Sequence, residues 1–108
     1  MRKLSWQSIK TSFHFRKVSQ TGKKFYSPFF LFFTLPSDNL ELGVIASRKV
    51  GNAVKRNKAK RLLKAAFSEV FQSHKNESVV IIARQQILNA EYSKIIHWMK
   101  KASCEREM

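Results

Sequence analysis

Cysteine is nearly absent from this 108-residue chain, and acidic residues are scarce. The single Cys104 excludes an internal disulfide and a multi-cysteine zinc site, and reads as a free thiol near the chain end. No apolar run approaches the about 20 residues that cross a bilayer; Phe29 to Leu35 is the most apolar stretch. Arg2 and Lys3 are followed by alternating polar and apolar residues rather than an apolar signal core, so the expected compartment is the cytoplasm. The three histidines, His14, His74 and His97, are scattered over separate segments. Nothing has the spacing of paired carboxylates, a metal cluster or a nucleophile beside its base. No catalytic residue and no protein-bound metal or cofactor is expected. Repeats, linkers and low-complexity segments are also missing. One domain over 1–108 is expected, with 1–10 and 102–108 partly flexible.

The shortage of acids is the positive clue. Seven acids face 21 Lys and Arg, for a net charge of +14. None precedes Asp38, and none lies between Glu41 and Glu69. A balance this basic points to nucleic acid or an anionic surface. From Arg48 to Lys64 there are eight Lys/Arg and no acid. Ala59, Leu62, Leu63, Ala66, Phe67 and Val70 recur at helical spacing and form a buried stripe. Asn57, Arg61, Lys64 and Ser68 then fall on the opposite side, flanked by Lys58 and Lys60. Without Glu at i, i+4 these bases have no local partner. They would repel one another unless an external polyanion neutralised them. Arg48 and Lys49, next to Gly51 and the helix start at Asn52, make a phosphate-binding corner.

Around this helix the pattern predicts α-β-β-β-α-β-α, an α+β sandwich with helices packed on a four-stranded, mostly antiparallel sheet. Thr11 or Ser12 caps a first helix carrying Phe15 and Val18, with Gly22 beyond its end. Lys23 to Ser27, Phe29 to Leu35 and Leu40 to Ser47 read as strands. The basic helix should run to about Gln72, with a loop at His74-Lys75-Asn76. Val79 to Ala83 reads as a strand buried on both faces. It would lie parallel to the third strand across the helical crossover, which the usual rule makes right-handed. Asn89 caps a last helix with Tyr92, Ile95, Ile96 and Met99 inward, and the tail from Lys100 is expected to fray. Nine phenylalanines exceed the need of so small a core. Strand alternation puts Phe29, Leu31 and Phe33 on one face and Phe30 and Phe32 on the other. One set could stack unpaired bases.

The run Lys49-Val50-Gly51-Asn52-Ala53-Val54-Lys55-Arg56-Asn57-Lys58-Ala59-Lys60-Arg61 closely resembles the signature of the bacterial ribonuclease P protein family. Phe15, Val18 and Gly22 are similar to its first helix, Phe30 to Leu35 to its second strand, and Val79 to Arg84 to its fourth. The resemblance implies an RNA-binding subunit of the endoribonuclease that removes the 5′ leader from precursor tRNA. In that family the RNA subunit is the catalyst and requires Mg2+, and the protein alone is inactive. The implied partners are the catalytic RNA and the leader, with no membrane or protein partner. Arg48, Lys49, Asn52, Lys55, Arg56, Asn57, Lys58, Lys60, Arg61 and Lys64 would touch the RNA subunit, and Phe15, Arg16 and Phe33 would line the leader cleft. The implied fold is an α/β sandwich like a ribosomal-protein domain, with an unusual left-handed β-α-β crossover. Lys58, where Arg is commonest, keeps charge without a bidentate fork. Ser19 stands where an aromatic is frequent, and Phe33 where Tyr is. The alternative is a general RNA-binding or ribosome-associated protein of the same fold without leader recognition.

Overall fold

The computed structural model describes residues 6–71 and 76–106. Its order is β1 (Gln7–Ser8), α1 (Ser12–Thr21), β2 (Lys23–Tyr26), β3 (Phe30–Pro36), β4 (Glu41–Ile45), α2 (Ala53–Val70), β5 (Glu77–Ala83), a 3-10 turn (Gln85–Asn89) and α3 (Tyr92–Arg106). The strands form one mixed sheet in the order β1-β4-β5-β3-β2. β4 and β5 are parallel with α2 crossing between them, as the pattern predicts, and β3 is antiparallel to both β5 and β2.

The sheet has five strands rather than four. Gln7 and Ser8 add a two-residue strand parallel to β4, closed by Gln7 N–H to Leu40 O at 3.0 Å and Ile9 N–H to Leu42 O at 3.1 Å. Both residues are exposed and polar, so no apolar alternation marks them. The flanking Trp6 and Ile9 dock on the core. Gln72, His74 and Lys75 lie outside the described residues. The last helix also differs from expectation. Asn89 ends the 3-10 turn, and the Glu91 carbonyl opens α3 by accepting from Lys94 and Ile95 N–H at 3.0 and 3.3 Å. α3 then continues beyond Lys100 to Arg106 because Ala102 is buried against the core.

The two faces of the sheet are covered unequally. One face packs Phe30, Phe32, Leu42, Val79 and Ile81 against Ala59, Leu63, Ala66 and Phe67 of α2 and Ile95 and Met99 of α3. The other face holds a smaller cluster of Ile9, Val18, Phe33 and Val80, and among the described residues α1 is the helix packed on it. Phe29 departs from the predicted alternation. It precedes β3, behind Pro28, and packs with the α2/α3 side. One helix cannot cover five strands, and that inequality leaves an apolar surface beside α1.

Candidate RNA interface

Val50, Gly51 and Asn52 fix the start of the basic helix. Val50 is buried and pins the loop after β4, while turns from Ser47 O to Val50 N–H (3.0 Å) and Arg48 O to Gly51 N–H (3.1 Å) leave Arg48 and Lys49 exposed. Gly51 has φ 145°, a conformation that strains any residue with a Cβ. The next residue, Asn52, caps α2, its side-chain oxygen accepting from Lys55 N–H at 3.0 Å. A helix start leaves further first-turn N–H groups without an intrahelical partner, and with Arg48 and Lys49 just before it in the chain this is an arrangement suited to phosphate.

Along α2, Ala59, Leu63, Ala66 and Phe67 are buried, and Leu62 and Val70 are half-buried flanks. The predicted stripe is therefore the packed stripe. Lys55, Asn57, Lys58, Arg61 and Lys64 are exposed, with Arg56 and Lys60 half-buried. Among the described residues, none of the eight bases from Arg48 to Lys64 lies within ion-pair distance of a carboxylate. Glu69, the only acid of α2, sits at its far end beside Tyr92. Burial and that carboxylate together hold the Tyr92 phenol above its ordinary pKa. Val54, Asn57, Lys60, Arg61 and Lys64 line a shallow concavity on the outer face. Val54, 77% exposed at its rim, was not singled out in the sequence.

The second part of the site lies on the face that α1 caps. Strand register sets side chains there in three rows. Glu41, Ser78 and Leu35 form one, Gly43, Val80 and Phe33 the next, and Ile45, Ile82 and Leu31 the third. α1 lies over the middle row. Val18 is fully buried on it, and the Phe15 ring occupies the space above Gly43 where a side chain would otherwise stand. Thr11 caps the helix, its Oγ1 accepting from His14 N–H at 3.1 Å. That start directs His14 to the first row. At 100° per residue, Phe15 and Ser19 then face the third row.

The third row is half-open. Ile45, Ile82, Leu31 and Phe15 are all partly exposed. Phe33 is only 6% exposed beneath α1, so its ring forms floor rather than a free stacking platform. Arg16 is exposed on the outer side of α1. The β4 end of this row leads through Ala46 into the loop bearing Arg48 and Lys49. That loop links the half-open apolar row on one face of the sheet to the start of the basic helix, which packs on the other face. Leu31, Ile45 and Ile82 were missed as site residues because only the pairing register shows them side by side. Gly43→Ala would force a methyl into the Phe15 ring. We expect a loss of about 1–3 kcal/mol from this overpacking, measured by urea unfolding, with α1 displaced from the row.

The first row is polar where it crosses β4 and β5. Glu41 Oε1 accepts from Ser78 Oγ at 2.6 Å and Ser37 Oγ at 3.2 Å, and lies 3.3 Å from His14 Nε2. Nε2 is also 3.1 Å from Ser78 Oγ. Since Ser78 gives its proton to Glu41, Nε2 is the donor of this pair. Ser78 is 1% exposed, so its hydroxyl is neither accessible nor activated by the imidazole. The cluster bolts α1 to β4 and β5. Among the described residues no three His, Cys, Asp or Glu are placed to hold a metal ion, and no helix is long and apolar enough to cross a membrane.

Comparison with known proteins agrees with this geometry. The family model for Ribonuclease P matches residues 5–105. The ribonuclease P protein component of Nitratiruptor sp. is 39% identical over 95 residues, 88% of this chain and 87% of its own length. That of Shouchella clausii is 38% identical over 104 residues, covering 89% and 85%. Among solved structures, the Staphylococcus aureus RNase P protein superposes with a TM-score of 0.72 at 30% identity, covering 86% of this chain and 88% of that one. The Thermotoga maritima RNase P protein shares the fold, with a TM-score of 0.71 at 21% identity. The chain belongs to the ribonuclease P protein family.

Proposed function

We propose that this chain is the protein subunit of ribonuclease P and assists a catalytic RNA in removing the 5′ leader of precursor tRNA. The observation that carries this reading is the acid-free basic face of α2, together with Arg48 and Lys49, which precede it and follow closely on the β4 end of the half-open row beside α1. A folded RNA presents a dense phosphate surface, which Arg48, Lys49, Lys55, Arg56, Lys58, Lys60, Arg61 and Lys64 neutralise, with Asn52 and Asn57 positioned among them. A single-stranded leader presents unpaired bases, which suit a narrow apolar track bordered by Phe15 and floored by Phe33, with Arg16 above. Binding both at once ties the leader to the ribozyme and raises the affinity for precursor over mature tRNA.

In this reading the chemistry belongs to the RNA and its magnesium, and the protein supplies charge neutralisation and substrate capture. The buried, committed hydroxyl of Ser78 and the dispersed acids support that division of labour. It also fits a cytoplasmic particle. The test is cleavage of a precursor tRNA by a bacterial ribonuclease P RNA at low magnesium, with and without this protein. We expect correct 5′ cleavage only with both components and none from protein alone. RNA binding without stimulation would leave a general RNA-binding role, and cleavage by nuclease-free protein alone would overturn the non-catalytic assignment.

A further inference from the structure

We propose that Tyr26 is a base-stacking residue that extends the leader track to the outer edge of the sheet; the proposal rests on the leader-binding reading above. Tyr26 pairs with Leu31 in the antiparallel β2–β3 register, so the two side chains share a face. The third row is therefore four residues long: Ile45, Ile82, Leu31 and Tyr26. Its first three members are half-buried, whereas Tyr26 is 62% exposed. Lys24, one row over and also exposed, stands beside it as a phosphate partner.

The orientation of Tyr26 is fixed from below and from behind. Phe25 points to the opposite face, where its ring lies 6.3 Å from that of Trp98, so alternation leaves Tyr26 on the α1 side. The next residue, Ser27, is buried and closes the turn. Its N–H donates to Phe30 O at 3.0 Å, and its hydroxyl accepts from Phe30 N–H at 3.0 Å and Phe29 N–H at 3.2 Å. Tyr26 is thus carried on a rigid strand end with only its two side-chain torsions free. An aromatic ring so held presents a face that any base can stack on at little entropic cost.

Distance makes the proposal specific. From Ile45 to Tyr26 the row crosses three strand spacings of about 4.8 Å, or about 14 Å. At about 3.4 Å per stacked nucleotide, that span holds at most about four nucleotides. Tyr26 should therefore matter only for leaders long enough to reach β2.

The experiment measures the affinity of the holoenzyme, this protein plus ribonuclease P RNA, for precursor tRNAs with leaders lengthened one nucleotide at a time. Wild-type affinity should rise with leader length and then level off. Tyr26→Ala should follow the wild type for short leaders and level off earlier, ending about 5- to 100-fold weaker. Tyr26→Phe, which keeps the ring, should retain the wild-type curve. Thermal melting of Tyr26→Ala should match the wild type, since the ring is outside the core. A Tyr26→Ala curve superimposed on the wild type at every length would overturn the stacking role while leaving the leader track standing. A wild-type curve flat in leader length would overturn the track itself and Tyr26 with it.

Discussion

Reversing two charges on the outer face of α2, Arg61→Glu with Lys64→Glu, should weaken assembly with the catalytic RNA on the order of 100-fold at about 0.1 M salt, without lowering the melting temperature. Each phosphate contact contributes a slope of about −0.7 to −0.9 to log K against log salt, which is roughly five- to eightfold in affinity at 0.1 M relative to 1 M. Losing two such contacts gives roughly 25- to 60-fold, and repulsion by the new acids adds to that. The salt slope should become shallower by about 1.4–1.8. Stability should move the other way or not at all. Both side chains are exposed and, among the described residues, unpaired with any carboxylate. Lys64 lies one turn beyond Lys60, and like charges at i, i+4 cost about 0.2–0.5 kcal/mol, which the reversal converts to attraction. Filter binding across a salt series, alongside a thermal melt, separates the possibilities. Unchanged affinity would remove α2 as the interface, and a melt lowered by many degrees would make these residues structural.

The basic helix was legible in the sequence because two periodic signals coincide there. An apolar stripe fixes which side is buried, and the absence of acids shows that the other side lacks local partners. β3 and β5 were legible as dense apolar runs, and the parallel pairing of β4 with β5 followed from the helix between them. What escaped is what depends on contacts between distant residues. β1 is two exposed polar residues that become a strand only because the β4 edge is there to pair with. His14, Ser78 and Glu41 meet across sequence separations of 64 and 37 residues, so histidines scattered over separate segments gave no sign of these partners. The half-open row is of the same kind. Ile45, Ile82 and Leu31 each look like an ordinary strand residue, and only the register and the narrowness of α1 leave them together and uncovered. Phe33 reads in the sequence as a cleft residue, and its burial in the cluster under α1 makes it floor, which only the tertiary packing reveals.

Phe67→Ala should be the most damaging single substitution for the fold, costing about 3–5 kcal/mol. Phe67 is fully buried in α2, its ring stacked on Phe71 at 4.4 Å and meeting Trp6 edge-on at 5.6 Å. Phe71 in turn stacks on Phe32 of β3 at 5.7 Å. This line of rings joins the N-terminal segment, the basic helix and the central sheet. Truncating Phe67 opens a cavity that rigid neighbouring rings cannot collapse to fill, and it removes two ring contacts worth about 0.5–1.5 kcal/mol each beyond burial. A domain of this size is stable by only about 5–15 kcal/mol, so the loss is a large fraction of the total. Urea unfolding should show the midpoint falling with little change in slope. The contrast with the charge reversal is diagnostic. At a temperature where the Phe67→Ala protein is still folded, its salt slope for RNA should equal the wild type's, because the same bases remain in place. Saturating RNA should also raise its melting temperature, since a ligand at about 100 times its Kd adds about 2.7 kcal/mol to the folded state. A salt slope altered in this variant would mean that the ring row positions the cations as well as holding the helix down.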